Sequence, residues 1–159
     1  MIENIEQVQI IIDDIGLSVE DNEPNLRPWG GYFRISQKET SKFVALFFQD
    51  CKVNKEKFKL QPKILFVKPN SRLSWQYHKR RSEIWKVVHG RIGVCRSLSD
   101  DYGTIEVFDK GSIIRIEKEE RHRIVGLETT AIIAEIWIHE SDIPSDEDDI
   151  IRLQDDYNR

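Results

Sequence analysis

Between Ser74 and Gly90 the chain reads SWQYHKRRSEIWKVVHG, which brings three metal-ligating side chains close in sequence: Gln76, His78 and Glu83. A fourth, His122, follows a glycine turn at Gly111. Side chains alternate between the faces of a strand, so Gln76 and His78 point the same way, and Glu83 opens the next extended run after the KRRS turn. Gln offers a carbonyl oxygen, Glu a carboxylate, and each His a neutral ring nitrogen. This mixed set suits one divalent ion, and Zn, Mn, Co, Ni and Fe(II) all satisfy it. Spacing leaves a second reading open, in which both histidines are ordinary polar strand residues and Gln76 and Glu83 face solvent. His89 and His139 read as surface or core residues rather than ligands, and Trp85 and Trp137 as core or pocket-wall aromatics.

Convergence of the four side chains requires strands that close on themselves. Runs rich in Val, Ile, Phe, Tyr and Trp predict strands at 31–36, 43–49, 58–68, 71–78, 83–97, 104–108, 112–117, 122–127 and 131–139. Short polar turns such as KETSK, SDDYG and DKGS separate them, and no long helix intervenes, so the expected class is all-β, a barrel or jelly roll. Ahead of the barrel, residues 3–15 form a short helix or a strand. Ile5, Val8, Ile12 and Ile15 recur at helical spacing with Gly16 as a stop, but the isoleucine run at 10–12 favours β structure. A polar link, EDNEPNLRP, covers 20–28. The tail reads as a short helix with Ser145 as N-cap and Asp148 three residues on. The chain thus divides into an N-terminal extension, 1–26, and a β-barrel domain with a helical tail, 27–159.

A chain of 159 residues suffices for one domain with its own core. A net charge of −4 and a pI near 5.6 argue against nucleic acid or an anionic membrane as partner. Lys79, Arg80 and Arg81 form a local cationic run that either faces an anionic ligand or is a solvated turn, and the acids from Asp146 to Asp149 read as a solvated helix start. Cys51 and Cys95 form no CxxC pair and are expected to be free thiols in a reducing compartment. The MIENIEQ start lacks the basic region of a signal peptide, and no apolar run approaches a membrane span, so a soluble, cytoplasmic protein is expected.

At these residues the chain resembles the cupin superfamily of metal-binding jelly rolls. The usual first cupin motif runs Gly, five residues, His-x-His, three or four residues, Glu, six residues, Gly; here Asn70, Gln76-x-His78, Glu83 and Gly90 keep that spacing. The second runs Gly, five residues, Pro-x-Gly, two residues, His, three residues, Asn; here Gly111, Glu117-x-Glu119, His122 and Gly126 do so. Three further segments, RPWGGY at 27–32, VKPNSRLSWQYHKRRSEIW at 67–85 and EDDIIRLQDDYNR at 147–159, resemble the cupin domain of type II mannose-6-phosphate isomerases. That domain carries RPWGxY, KPGxxLSLQxHHHRxEHW and EDDIxRLEDxYGR, commonly behind a guanylyltransferase domain whose glycine-rich signature is absent here. The chain departs from the pattern at Lys79, Arg80 and Ile84, where the family has histidines, and at Asn70 and Glu119, where it has glycines. It also carries an insertion between RPWG and the KPN turn.

The resemblance implies a cupin-type double-stranded β-helix in which Gln76, His78, Glu83 and His122 hold one divalent ion. It implies interconversion of mannose-6-phosphate and fructose-6-phosphate or of a related sugar phosphate, with no guanylyltransferase activity. It also implies a homodimer through barrel faces or exchanged strands. Such isomerisation needs a polarised carbonyl, a base working near neutrality, and cations for the phosphate. For the base the candidate is Glu135, an acid inside the apolar run AIIAEIWIH that matches an acid of the family's corresponding strand; the other reading puts it on the barrel's solvent face. For the phosphate the candidates are Lys63, Arg81 and Arg159, with Arg27, Lys79 and Arg80 behind them. Two other functions compete: a non-catalytic sugar-phosphate-binding cupin, favoured by the changed positions 80 and 84, and another metal-cupin enzyme such as an epimerase or dioxygenase, disfavoured by the RPWG and tail segments.

Overall fold

A computed structural model describes residues 2–159. Helical periodicity wins at the N-terminus. Helix α1 (Ile5–Asp14) buries Ile5, Val8 and Ile12 on one face, and Asn4 caps it by accepting from the Gln7 amide at 3.0 Å. The isoleucine run does not make a strand because Ile10 and Ile11 turn to solvent while their neighbours pack inward.

Eleven strands follow: β1 (Asn25–Arg27), β2 (Gly30–Arg34), β3 (Lys59–Val67), β4 (Trp75–Tyr77), β5 (Arg81–His89), β6 (Arg91–Ser97), β7 (Ile105–Asp109), β8 (Ile113–Ile116), β9 (Arg121–Gly126), β10 (Ala131–His139) and β11 (Ile151–Gln154). They pair into two antiparallel sheets, β1-β2-β3-β10-β5-β8 and β11-β4-β9-β6-β7. The inner faces enclose one apolar core containing Trp85, Val87, Ile92, Val94, Ile114 and Ile124. The outer face of the six-stranded sheet is buried as well. Ile64, Phe66, Ile84, Ile132, Ala134 and Ile136 pack there against α1 and a second helix, α2 (Thr40–Phe47). A strand covered on both faces reads as a continuous apolar run, which is why AIIAEIWIH shows little alternation.

Three expectations need correction. Residues 43–49, expected as a strand, lie largely in α2. Phe43 and Phe47 stack one helical turn apart with ring centroids 4.8 Å apart, and a short apolar run does not distinguish helix from strand by period alone. This helix occupies the insertion between RPWG and the KPN turn and roofs the sheet. The single strand expected at 83–97 is a hairpin, β5 and β6, broken at Gly90. That residue has φ 70°, and a Cβ there would meet the Thr130 carbonyl oxygen at 2.4 Å. The helical tail contracts to one 3-10 turn, Glu147–Asp149, capped by Asp146 rather than Ser145. Beyond it the chain becomes β11, which pairs with β4 because Ile151 and Leu153 alternate with polar neighbours.

Candidate functional site

The mouth of the barrel gathers the ligand-type residues. Gln76 of β4 lies directly opposite His122 of β9. On β5, the side chains of Arg81, Glu83 and Trp85 share the inward face, spaced two residues apart. Short polar loops deliver His78 just after β4, and the Lys79 and Arg80 amides that follow both donate to the Asp149 carboxylate, at 3.1 and 3.0 Å.

His78 Nε2 is the centre of the cluster. It lies 3.1 Å from Glu83 Oε1, 3.2 Å from His122 Nε2 and 3.5 Å from Gln76 Nε2. Glu83 Oε2 is 3.8 Å from His122 Nε2. His78, Glu83 and His122 are all buried. The ring orientations bear on what can bind. His78 Nδ1 meets the Asp149 carbonyl at 3.2 Å and His122 Nδ1 the Glu120 carbonyl at 2.8 Å. A carbonyl oxygen only accepts, so each Nδ1 carries the proton and each Nε2 presents a lone pair. Two lone pairs and a carboxylate facing one another at these distances call for a cation. Bonds of about 2.0–2.1 Å hold neighbouring donors roughly 3.0–3.4 Å apart, so the set fits a divalent ion, and the two carbonyls supply the outer support such ligands use. Gln76 stands beside the set with its Nε2 toward His78 and its Oε1 accepting from Ser74 Oγ. Ligation by its oxygen requires the amide to turn over, after which Ser74 Oγ accepts from Nε2.

Arg81 enters the same cluster. Its Nε donates to Glu83 Oε1 at 2.9 Å and its Nη2 to His78 Nε2 at 3.2 Å, while Nη1 donates to Ser145 Oγ at 2.8 Å. Burial opposes ionisation of Glu83, but the positive charge around it, with the Arg81 guanidinium bound at 2.9 Å, outweighs that and holds the carboxyl well below its usual range. Burial drives the His122 imidazole the other way, down to about 4, which keeps it neutral and able to ligate.

Glu135 does not face solvent. It is buried on the inner face of β10, between Lys63 on β3 and Trp85 on β5 in register. Trp85 Nε1 donates to Glu83 Oε2 at 3.0 Å and to Glu135 Oε1 at 3.1 Å, which ties the two carboxyls together. Burial first, then the charge of Glu83, pushes the Glu135 carboxyl up to about 8, against the pull of Lys63 and Arg81. Burial likewise lowers the Lys63 ammonium to about 8, although Glu135 and Glu147 resist it. Trp137 forms pocket wall, with Lys63 Nζ 3.2 Å and Arg81 Cζ 3.4 Å from its ring centroid. His139 is buried and structural: its Nδ1 accepts from the Ser145 amide at 2.9 Å, and burial lowers it to about 4.

Lys63, Arg81 and Arg159 all line this pocket, yet each already faces an acid. Lys63 Nζ lies 3.6 Å from Glu147, Arg81 is bound to Glu83, and Arg159 Nε pairs with Asp155 at 2.9 Å. Sequence reasoning missed Arg152, which lines the pocket opposite Gln76 and pairs with no acid among the described residues. The available signal was the tail segment itself, in which Arg152 stands two residues from Ile150, another wall residue. Tyr32 and Glu147 were missed too; Tyr32 closes RPWGGY and Glu147 opens EDDIIR, both segments already singled out. The changed histidine positions lie elsewhere, with none of Lys79, Arg80 and Ile84 lining the pocket. Ile84 packs in the core beneath the helices, and Arg80 pairs with Asp146 and Asp149 at the rim.

A double antiparallel sheet closed around a buried His-Glu-His cluster makes this chain a cupin. Solved structures agree on the fold. A variant of oxalate decarboxylase from Bacillus subtilis matches with TM-score 0.63 and 16% identity over 86% of this chain and 32% of that one. The capsular polysaccharide assembling protein CapF from Staphylococcus aureus matches with TM-score 0.58 and 17% identity over 83% of this chain and 32% of that one. The chain therefore spans about a third of the length of these proteins. No curated protein matches it in sequence. Residues 18–155 match the family model described as mannose-6-phosphate isomerase C-terminal, and the chain belongs to that family. Among the described residues no helix is long and apolar enough to cross a membrane.

Proposed function

We propose that the protein is a metal-dependent aldose–ketose isomerase of a sugar phosphate, with mannose-6-phosphate and fructose-6-phosphate as the first pair to test. The observation that carries this reading is the pairing of a buried lone-pair cluster, His78, Glu83 and His122, with a second buried carboxyl on the same wall, Glu135, joined to it through one indole N–H. A divalent ion held by the cluster would supply Lewis-acid polarisation of the carbonyl. The chain's own residues then have distinct tasks. Glu135 takes the proton from C2 and returns it to C1, while the hydroxyl proton passes from O2 to O1, so no proton is gained or lost. A carboxyl raised to about 8 is a stronger base than an ordinary one, and the ionised fraction that can take the proton grows as pH rises through 7 to 8. Lys63, Arg27 and Arg152 supply positive charge toward a phosphate, and Trp29, Tyr32 and Trp137 give the sugar an aromatic wall that excludes water.

The competing reading, a binding protein without turnover, drew on the loss of histidines at 80 and 84. Neither position lines the pocket, so that argument loses its force. One observation still favours it: the Arg81 guanidinium reaches both His78 and Glu83 and competes with an ion for them. The deciding experiment incubates the protein with Mn, Co or Zn and mannose-6-phosphate and follows fructose-6-phosphate by NMR beside a chelated control. Conversion that needs the metal supports the isomerase; a metal-loaded protein that leaves the substrate unchanged sinks this substrate pair and shifts the reading to another sugar phosphate or to the binding role.

A further inference from the structure

Glu147 stands on the 3-10 turn of the tail and reaches into the barrel mouth. All its polar contacts fall on one oxygen: Oε1 accepts from Tyr32 Oη at 3.2 Å and lies 3.6 Å from Lys63 Nζ and 3.7 Å from Arg34 Nη2. The three donors come from adjacent strands. Arg34 of β2 is directly opposite Lys63 of β3, and Tyr32 is two residues back on the same face. Arg27 Nη2 backs them, 3.3 Å from Tyr32 Oη. The donors and the acceptor differ in how firmly they are held. Lys63 is 2% exposed and Tyr32 6%, whereas the Glu147 side chain is 41% exposed. The turn that carries it is fastened by its neighbours, Asp146 and Asp149, so Glu147 can swing about its own torsions without undoing the turn. The sheet therefore supplies two buried donors, Lys63 and Tyr32, with the half-buried Arg34 at their edge, and the carboxylate is a movable group seated among them.

We infer that Tyr32, Arg34 and Lys63 form a subsite for a phosphoryl oxyanion, and that Glu147 is its intramolecular occupant, displaced when the phosphoryl group of a ligand enters. This deepens the proposed reading of a sugar phosphate as substrate and rests on it: it names where the anion sits and which group competes for the place. A phosphate monoester brings nearly two negative charges and three acceptor oxygens, where Glu147 brings one charge and uses one oxygen, so the exchange favours the ligand. Glu147 then tunes selectivity. Neutral sugars, and anions too weak to displace it, are kept out of the subsite.

The test is calorimetric titration of the full chain with inorganic phosphate, mannose-6-phosphate and mannose. Glu147→Gln removes the competing charge and keeps the shape, so both phosphates should bind about tenfold more tightly, with mannose unaffected. Arg34→Ala, at a half-buried position that unfolds nothing in the core, should weaken both. Affinity for phosphate that is unchanged or reduced in a folded Glu147→Gln protein overturns the inference, as does an Arg34→Ala protein that binds as before. A gain for inorganic phosphate alone overturns the assignment to a sugar phosphate. Since the readout is binding, a protein that shows these shifts without isomerising the sugar sinks the proposed activity and leaves the subsite standing.

Discussion

Glu135 lies between opposing influences: burial and the Glu83 carboxylate raise its pKa, while Lys63 and Arg81 draw it down. Glu135 stands outside the His78–Glu83–His122 set and is bridged to it by Trp85, so its role can be separated from metal binding. Glu135→Gln should keep the Trp85 hydrogen bond and full affinity for Mn or Zn in a titration, while the isomerisation rate falls by about 10²–10⁴. His78→Ala should lose both metal and turnover. A Glu135→Gln protein with wild-type rates would rule out a proton-transfer role. At this scale much was legible in advance. The spacing placed His78 and Glu83 close together, because a two-residue period and a short turn leave little freedom between them, whereas His122, on β9, joined them only through the resemblance to the second cupin motif. Arg81 was legible as a cation for the phosphate, not as a partner of the ligand residues. Its guanidinium enters the ligand cluster because it shares the inward face of β5 with Glu83, a fact that depends on where the strand begins. Arg152 and Glu147 were not legible as wall residues, because the tail was expected to be helical and a helix would have aimed them differently.

Three turns show how elements keep a shape after the residue suited to it has gone. Asn70, Glu119 and Asn158 stand where the resembled pattern has glycine, and all three retain left-handed backbone, at φ 53°, 66° and 55°. Asn tolerates that conformation; Glu does so at a cost of about 1–2 kcal/mol. The Glu119 turn is held regardless, since its amide donates to the His78 carbonyl at 2.8 Å and so stays beside a ligand residue. Replacing it tests the account: Glu119→Gly should raise stability by about 1 kcal/mol, or about 2–4 °C in Tm for a chain of this size. An unchanged or lowered Tm in a thermal melt would mean the turn carries no such strain. The strands themselves were foreseen wherever a run was long and rich in β-branched residues, as at Lys59–Val67 and Ala131–His139. The failure at Thr40–Phe47 has a physical source. A run that is apolar on every side is equally ready to roof a sheet as a helix or to join it as a strand, and only the tertiary context decides.

Over the whole molecule, the tail works as a strap that links three functions through neighbouring residues. Ser145 accepts from Arg81, Glu147 meets Lys63 and Tyr32, and Asp149 fastens the loop that carries His78. Asp149 acts twice on that loop. Its carboxylate takes the amides of Lys79 and Arg80 and the hydroxyl of Ser145, and its carbonyl fixes the His78 ring. Metal affinity and tail docking should therefore be coupled, and reciprocally so, since each biases the other's equilibrium. Asp149→Ala leaves every candidate ligand in place and keeps the carbonyl, but frees the loop and the strap. Loss of such outer support typically weakens a metal site about 10–100-fold, and that is the fall expected here in a chelator competition assay. In the same variant, limited proteolysis should cut the tail near residues 144–150 faster than in the wild type, and added Zn or Mn should slow the cut in the wild-type protein. A variant that binds metal with unchanged affinity while its tail is cleaved rapidly would separate the two events. The strap would then be a structural closure of the barrel mouth, with no hold on the ion.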